Sequence, residues 1–302
     1  MDCVPQITVD SVVILNSPDV RKSSGKELLR GLVSKFENGQ WTDTPFRAFV
    51  WRHMKTACLT PSESAVIVGN PDEKLREAAR RLRKEKPKSK SRGSEIAEIC
   101  LYGILKEFYG CSVAISKIFH KQNRNDTVKG ADSVHFRISD EGSITYWYGE
   151  AKFYKTIGVQ QIKTIAQSVA DIFDEQKMSH ENSIVIHSTD LGEALGSNKA
   201  GKEVRDTFAG GFTDKLKRSL HIPILLVYEY KPEDVSDEEA FRLKVKEHQE
   251  TLAKAYYQEH IKKIGSLSYY TDVHFHLILF PVPLKKDLVD RFIVETESVE
   301  EG

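Results

Sequence analysis

Ile144-Thr145-Tyr146-Trp147-Tyr148-Gly149-Glu150-Ala151-Lys152-Phe153-Tyr154 is rich in aromatic and β-branched residues and reads as a strand. Side chains two apart on a strand share a face, so Glu150 and Lys152 stand together. Upstream, Lys129-Gly130-Ala131-Asp132 leads into a second strand-like run, Ala131 to Ile138. Ser139-Asp140-Glu141-Gly142 joins the two runs as a hairpin turn. Asp132 and Glu150 then lie on neighbouring strands. Carboxylates there hold a divalent cation while the ammonium faces a phosphate or an attacking water, as phosphodiester cleavage requires.

Before the hairpin, Ser94 caps a helix from Glu95 to Tyr109, with Ile96, Ile99, Cys100, Ile104, Leu105 and Phe108 at helical spacing. Gly110 ends that helix, and Val113, Ile115 and Ile118 mark a strand. After the hairpin come an amphipathic helix, Val159 to Gln176, and a buried strand, Ser183 to His187. Further on, the pattern predicts a helix over Lys202 to Ser219, a strand over Ile222 to Tyr230 and a long charged helix from Asp237 to Lys263. A strand over Val273 to Val282, a helix over Lys285 to Val294 and a frayed acidic tail, Glu295 to Gly302, complete the chain.

Toward the N-terminus, Ser11 to Leu15, Phe46 to Trp51 and Ala65 to Val68 look like strands, and Glu27 to Phe36 has helical apolar spacing. Pro71 opens a second helix with Asn70 as N-cap, running to about Lys84. Glu85-Lys86-Pro87-Lys88-Ser89-Lys90-Ser91-Arg92-Gly93 offers nothing to a core and reads as a mobile basic connector. It is either a solvated linker or a segment that touches phosphates. The expected division is an N-terminal α/β region over 1–84, the connector over 85–93, a core over 94–190 and a C-terminal α/β extension over 191–302.

The chain has 302 residues, enough for a substantial core, with 44 basic and 44 acidic side chains. Zero net charge announces no polyanionic partner, yet a local basic stripe suffices for one. Cys3, Cys58, Cys100 and Cys111 have neither CxxC nor metal-ligand spacing and read as reduced thiols of a cytosolic protein. No secretory leader is visible, and the longest apolar runs are too short to span a bilayer, so a soluble cytoplasmic protein without membrane contact is expected. Ser23-Ser24-Gly25-Lys26-Glu27 lacks the remaining residues of a P-loop, and His274 and His276 alternate as on a half-exposed strand.

The order of helix glutamate, Gly-x-Asp, Glu-x-Lys and helix resembles the PD-(D/E)xK nuclease superfamily. Arg92-Gly93-Ser94-Glu95-Ile96-Ala97-Glu98, Lys129-Gly130-Ala131-Asp132, Tyr148-Gly149-Glu150-Ala151-Lys152 and Phe275-His276-Leu277-Ile278-Leu279-Phe280-Pro281-Val282-Pro283 narrow the resemblance to the HamA family. HamA proteins are the nuclease subunits of Hachiman anti-phage systems, which work with a helicase, HamB. The resemblance implies an α/β fold, a mixed central sheet flanked by helices, with a restriction-endonuclease-like core and N- and C-terminal additions. It implies a divalent-metal-dependent DNA endonuclease using Mg2+ or Mn2+, restrained by a helicase partner in a heterocomplex.

The expected catalytic residues are Glu98, Asp132, Glu150 and Lys152. Magnesium favours oxygen ligands and takes one or two carboxylates, here Asp132 and Glu150. The family pattern adds the Ala151 carbonyl and a helix acid that precedes an apolar run, which is Glu98, with Glu95 in reserve. Glu95 also reads as a first-turn acid that favours the helix dipole. Lys152 positions the water or stabilises charge growing on the phosphate. Gln161 and Lys163, early in the next helix, are candidate phosphate contacts. Tyr146, Tyr148 and Tyr154 either pack the core or stack a base at the rim. Two other functions stay open: a non-catalytic nucleic-acid- or partner-binding module on a nuclease-like scaffold, and a structural subunit assembling through the long helix.

Overall fold

A computed structural model describes residues 3–13, 26–37, 39–59, 63, 66, 71–83, 89–115, 131–187, 191, 195, 199–233 and 237–301. Seven strands form one mixed sheet in the order β1 (Gln6–Val13), β2 (Glu27–Val33), β9 (His274–Val282), β8 (Leu220–Glu229), β7 (Ile144–Tyr154), β6 (Ser133–Ile138) and β5 (Ser112–Ile115). The central strands β2, β9, β8 and β7 run parallel, and the two edges are antiparallel. β3 (Phe36–Glu37) and β4 (Gln40–Trp41) make a separate small ribbon. Both faces carry helices, as the α/β reading expects. On one face α4 (Val159–Ile172) and α8 (Glu238–Ile264) pack with Tyr146 and Tyr148 of β7. On the other, α1 (Thr44–Cys58), α2 (Pro71–Arg83), α3 (Ser89–Tyr109) and α9 (Lys285–Glu301) pack with Trp147, Ala151 and Phe153.

The hairpin is as the alternation predicts. β6 and β7 pair antiparallel with Ser133 opposite Gly149 and Ile138 opposite Ile144, and Gly142 in the turn takes a φ of 80°. β8, α8 and β9 also fall where the pattern puts them, with Asp237 capping α8 through a bond from Ala240 N–H. α2 opens at Pro71; its proposed cap, Asn70, lies outside the described residues, as do Leu15, Ile118 and the Lys129-Gly130 pair.

Several elements differ from expectation. Glu27 to Val33 is strand β2, hydrogen-bonded between β1 and β9, with Leu29 in the core on one face and Leu32 in the core on the other, so its apolar residues do not follow a single alternating face. Phe46 to Trp51 lies in helix α1, whose buried Phe46, Phe49, Val50, His53, Met54 and Ala57 follow helical spacing after Pro45. Ser183 to His187 is the last part of helix α5 (Glu175–His187), not a strand. Lys202 to Ser219 divides into α6 (Lys199–Ala209) and α7 (Asp214–Arg218) around Gly210-Gly211. The tail continues α9 to Glu301, with Glu295 bonded to Arg47 and to Trp51 Nε1. Of the connector, Ser89 to Gly93 begin α3, so Ser94 is inside the helix rather than its cap; 84–88 lie outside the described residues. The strand expected over Ala65 to Val68 also lies outside them, save for a helical, exposed Val66.

Candidate active site

β6 starts one residue after Asp132, whose N–H donates to the Gly149 carbonyl at 2.7 Å and extends the hairpin by one bond. Where β6 gives out, the Asp132 side chain reaches back to β7, and its Oδ2 accepts the Ala151 N–H at 3.0 Å. Gly149 permits this register because it faces Ser133 and the α3 side chain of Leu101. An added Cβ would meet the Ser133 hydroxyl and lie 2.8 Å from Leu101 Cδ2. A strand residue presents its N–H and C=O to the same side, so the Ala151 carbonyl also faces the Asp132 side.

Lys152 joins the two acids. Its ammonium bonds Glu150 Oε1 and lies 3.5 Å from Asp132 Oδ2. Glu150 is only 5% exposed. Burial pushes its carboxyl up to about 7, Asp132 adds to the rise, and Lys152 and the Ser168 hydroxyl of α4 oppose it. Burial pulls Lys152 the other way, but the two carboxylates outweigh it and hold its ammonium above the ordinary lysine range. Two negative groups against one positive group leave the cluster net acidic when all are ionised.

The helix acids lie elsewhere. α3 covers the face of β7 that carries Ala151 and Phe153, whereas Glu150 faces Ser168 on α4. Glu98, 5% exposed, accepts a bond from Ser94 Oγ at 3.5 Å, and both Glu95 and Glu98 lie near enough to Cys58 to help burial raise its thiol. Among the described residues no group of three or more His, Cys, Asp or Glu side chains is disposed to hold one metal ion. Glu98 and Glu95 therefore do not close with Asp132 and Glu150 into a three-carboxylate seat, contrary to the expected convergence.

The Gln161 side chain is used locally, accepting the Gly158 N–H at 3.1 Å, and Lys163 is exposed. Seven residues separate Gln161 from Ser168, so the two share a face of α4; Lys163, five before Ser168, points elsewhere. Tyr146 and Tyr148 are core residues, with the Tyr148 hydroxyl donating to Asn182 Oδ1. His276 is buried rather than half-exposed: it stacks on Trp147 at 4.8 Å and pairs with His221 at 2.8 Å. Ser168 was missed because nothing in its local sequence distinguishes a helix serine that meets a strand carboxylate.

A mixed sheet with helices on both faces, and an antiparallel hairpin carrying two carboxylates and a lysine, is consistent with the restriction-endonuclease-like class of α/β proteins. The sequence model of one family, HamA, matches residues 10–295. The chain belongs to the HamA family and is an anti-phage defence protein. No curated protein matches it. No described helix is long and apolar enough to cross a membrane.

Proposed function

We propose that the chain is a divalent-metal-dependent endonuclease that hydrolyses DNA phosphodiester bonds, working as the effector of a defence complex under the control of a helicase partner. The observation that carries this reading is the Lys152 ammonium lodged between Asp132 and Glu150. The two oxygen donors already share a cation, and oxygen donors of this kind suit Mg2+ or Mn2+. Asp132, Glu150 and the Ala151 carbonyl would hold the metal. When bound, it neutralises phosphate charge and makes a coordinated water more acidic.

The protein's own groups divide the remaining work. Asp132 is held in place by the Ala151 N–H, so its position needs little reorganisation when a substrate arrives. Lys152, released from the carboxylates, supplies a fixed positive charge beside the scissile phosphate. Glu150, whose carboxyl burial raises to about 7, must be ionised to serve as a ligand, so loading of the site is favoured from neutral pH upward. Membership of an anti-phage defence family supports an effector that works within a complex.

A second reading is a non-catalytic nucleic-acid- or partner-binding module. It is favoured by the absence, among the described residues, of a third carboxylate in the seat. Plasmid cleavage separates the two. The purified chain, alone and with its helicase partner, is expected to nick or degrade plasmid in Mg2+ or Mn2+, and Glu150→Gln or Lys152→Met to lose at least a hundredfold in rate, the scale of one electrostatic catalytic group. Undiminished cleavage by both variants would overturn the assignment to this site, and binding with no cleavage under any of these conditions favours the second reading.

A further inference from the structure

α8 buries one stripe along most of its length. Gln249, Ala253, Tyr257, His260 and Ile264 recur every three or four residues and are all buried. Their polar groups tie the helix to the sheet. Gln249 donates to the Leu32 and Leu279 carbonyls and accepts the Thr8 hydroxyl, and Tyr257 donates to the Leu28 carbonyl. Thr8 belongs to β1, an edge strand of the sheet. Followed back toward the helix N-terminus at the same spacing, the stripe continues as Lys246, Arg242 and Glu239, with Glu238 and Leu243 beside them. These five residues and Thr8 line a cavity of about 510 Å3 where the stripe reaches the sheet edge.

Leu243 stands in the middle of this shelf with 56% of its surface exposed, and Ile7 on the adjacent edge strand is exposed as well. Four charges surround Leu243 and sort by sign along the helix, acids first and bases after. Glu238 and Arg242 are four apart, an order that favours an ion pair within one helix. Yet among the described residues none of the four charges enters an ion pair, and Arg242 reaches to the Ile7 carbonyl of β1 at 3.5 Å instead. A run of Glu, Glu, Arg, Leu and Lys is its own complement when a second copy lies antiparallel to it. Acids then meet bases at both ends, and leucine meets leucine at the centre. A partner carrying one sign of charge would match only half of the run and repel the other.

We propose that this shelf is a homodimer contact, in which two copies pack about a two-fold axis with the first turns of their α8 helices antiparallel and Leu243 against Leu243. Such a contact uses the same patch on both copies, so it closes at two and offers nothing to a third. Three strands separate β1 from β7, so pairing at this edge keeps clear of Asp132, Glu150 and Lys152. The inference stands apart from the nuclease reading and does not depend on it.

The test is sedimentation equilibrium of the full-length chain, run from about 5 to about 500 µM because small interfaces are transient. Two charge-reversed variants are made. Glu238→Lys/Glu239→Lys has a wholly basic shelf, and Arg242→Glu/Lys246→Glu a wholly acidic one; circular dichroism checks that each keeps its helix. The wild type is expected to show a monomer–dimer equilibrium that weakens as salt is added. Each variant alone is expected to dimerise at least tenfold more weakly, and the two mixed in equal amounts to form a heterodimer, because opposite charges again face one another. Leu243→Asp, a change at an exposed position, should weaken the dimer at least tenfold too and gives a separate reading if either charge variant fails to fold. A wild type that stays monomeric over the whole range overturns the proposal and leaves the shelf to a different protein. A dimer that all three variants form as well as the wild type places the contact on another face and overturns it equally. So do two folded charge variants that remain monomeric when mixed.

Discussion

Asp132 Oδ2 accepts the main-chain N–H of Ala151 at 3.0 Å, tying the residue before β6 to the residue between Glu150 and Lys152. This bond sets the spacing of the two carboxylates through the backbone and not through side-chain packing alone. It separates two roles of Asp132 that different substitutions expose. Asp132→Asn keeps an oxygen for the N–H but removes the charge, so the Glu150 carboxyl is expected to titrate below its present value of about 7 with stability changed by less than ~1 kcal/mol. Asp132→Ala leaves the N–H without its acceptor and is expected to cost about 1–3 kcal/mol in urea unfolding. A Glu150 titration unmoved in Asp132→Asn, followed by carboxyl-carbon NMR, would show that the two acids do not sense one another.

Gly149 is expected to be intolerant of a methyl group. An added Cβ meets Ser133 across the hairpin and lies 2.8 Å from Leu101 Cδ2 of α3. Gly149→Ala should cost about 1–3 kcal/mol by overpacking, and Gly149→Ala/Ser133→Gly should recover part of the loss because the two positions touch. Strict additivity in the double variant, measured by chemical unfolding, would place the strain somewhere else.

Glu150 predicts a pH dependence whose sign follows from burial. Its carboxyl lies at about 7 in the folded chain against 4.5 for the unperturbed group, so the folded state holds a proton that the unfolded state has lost between those values. Stability contributed by this group therefore falls as pH rises from about 4.5 to about 7 and stays low above that, by on the order of 2–3 kcal/mol. Glu150→Gln carries no proton to lose. In EDTA its urea midpoint should be flatter than that of the wild type over this window and higher at pH 8. Parallel profiles for the two proteins would contradict a neutral buried carboxyl.

The hairpin was legible because its chemistry and its geometry share one period. Alternation put Glu150 and Lys152 on one face, and a short turn placed Asp132 beside them. Long elements with caps, such as α8 behind Asp237, were also readable. The central strand β2 was not. Leu28, Leu29, Leu32 and Val33 satisfy a helical template, and only its place between β1 and β9 decides for a strand. The reverse holds for α1, where Phe46, Phe49, Val50 and Trp51 have strand propensity while tertiary packing of a helical stripe wins. Glu98 shows the limit at the site itself. Its sequence context fits the family pattern, but whether a helix acid reaches a strand pair depends on which face of the sheet the helix covers, and no local pattern encodes that.

Cation binding tests the central claim most directly. Titrating the metal-free chain with Mn2+, by calorimetry and by the loss of free-ion electron paramagnetic resonance signal, should reveal a saturable site in the wild type that is lost in Glu150→Gln and weakened at least tenfold in Asp132→Asn. Near pH 7 the wild type should also release a fraction of a proton on binding, because the cation replaces the proton shared by Glu150. Mn2+ binding of equal strength and stoichiometry in all three proteins would contradict a metal centre built on Asp132 and Glu150.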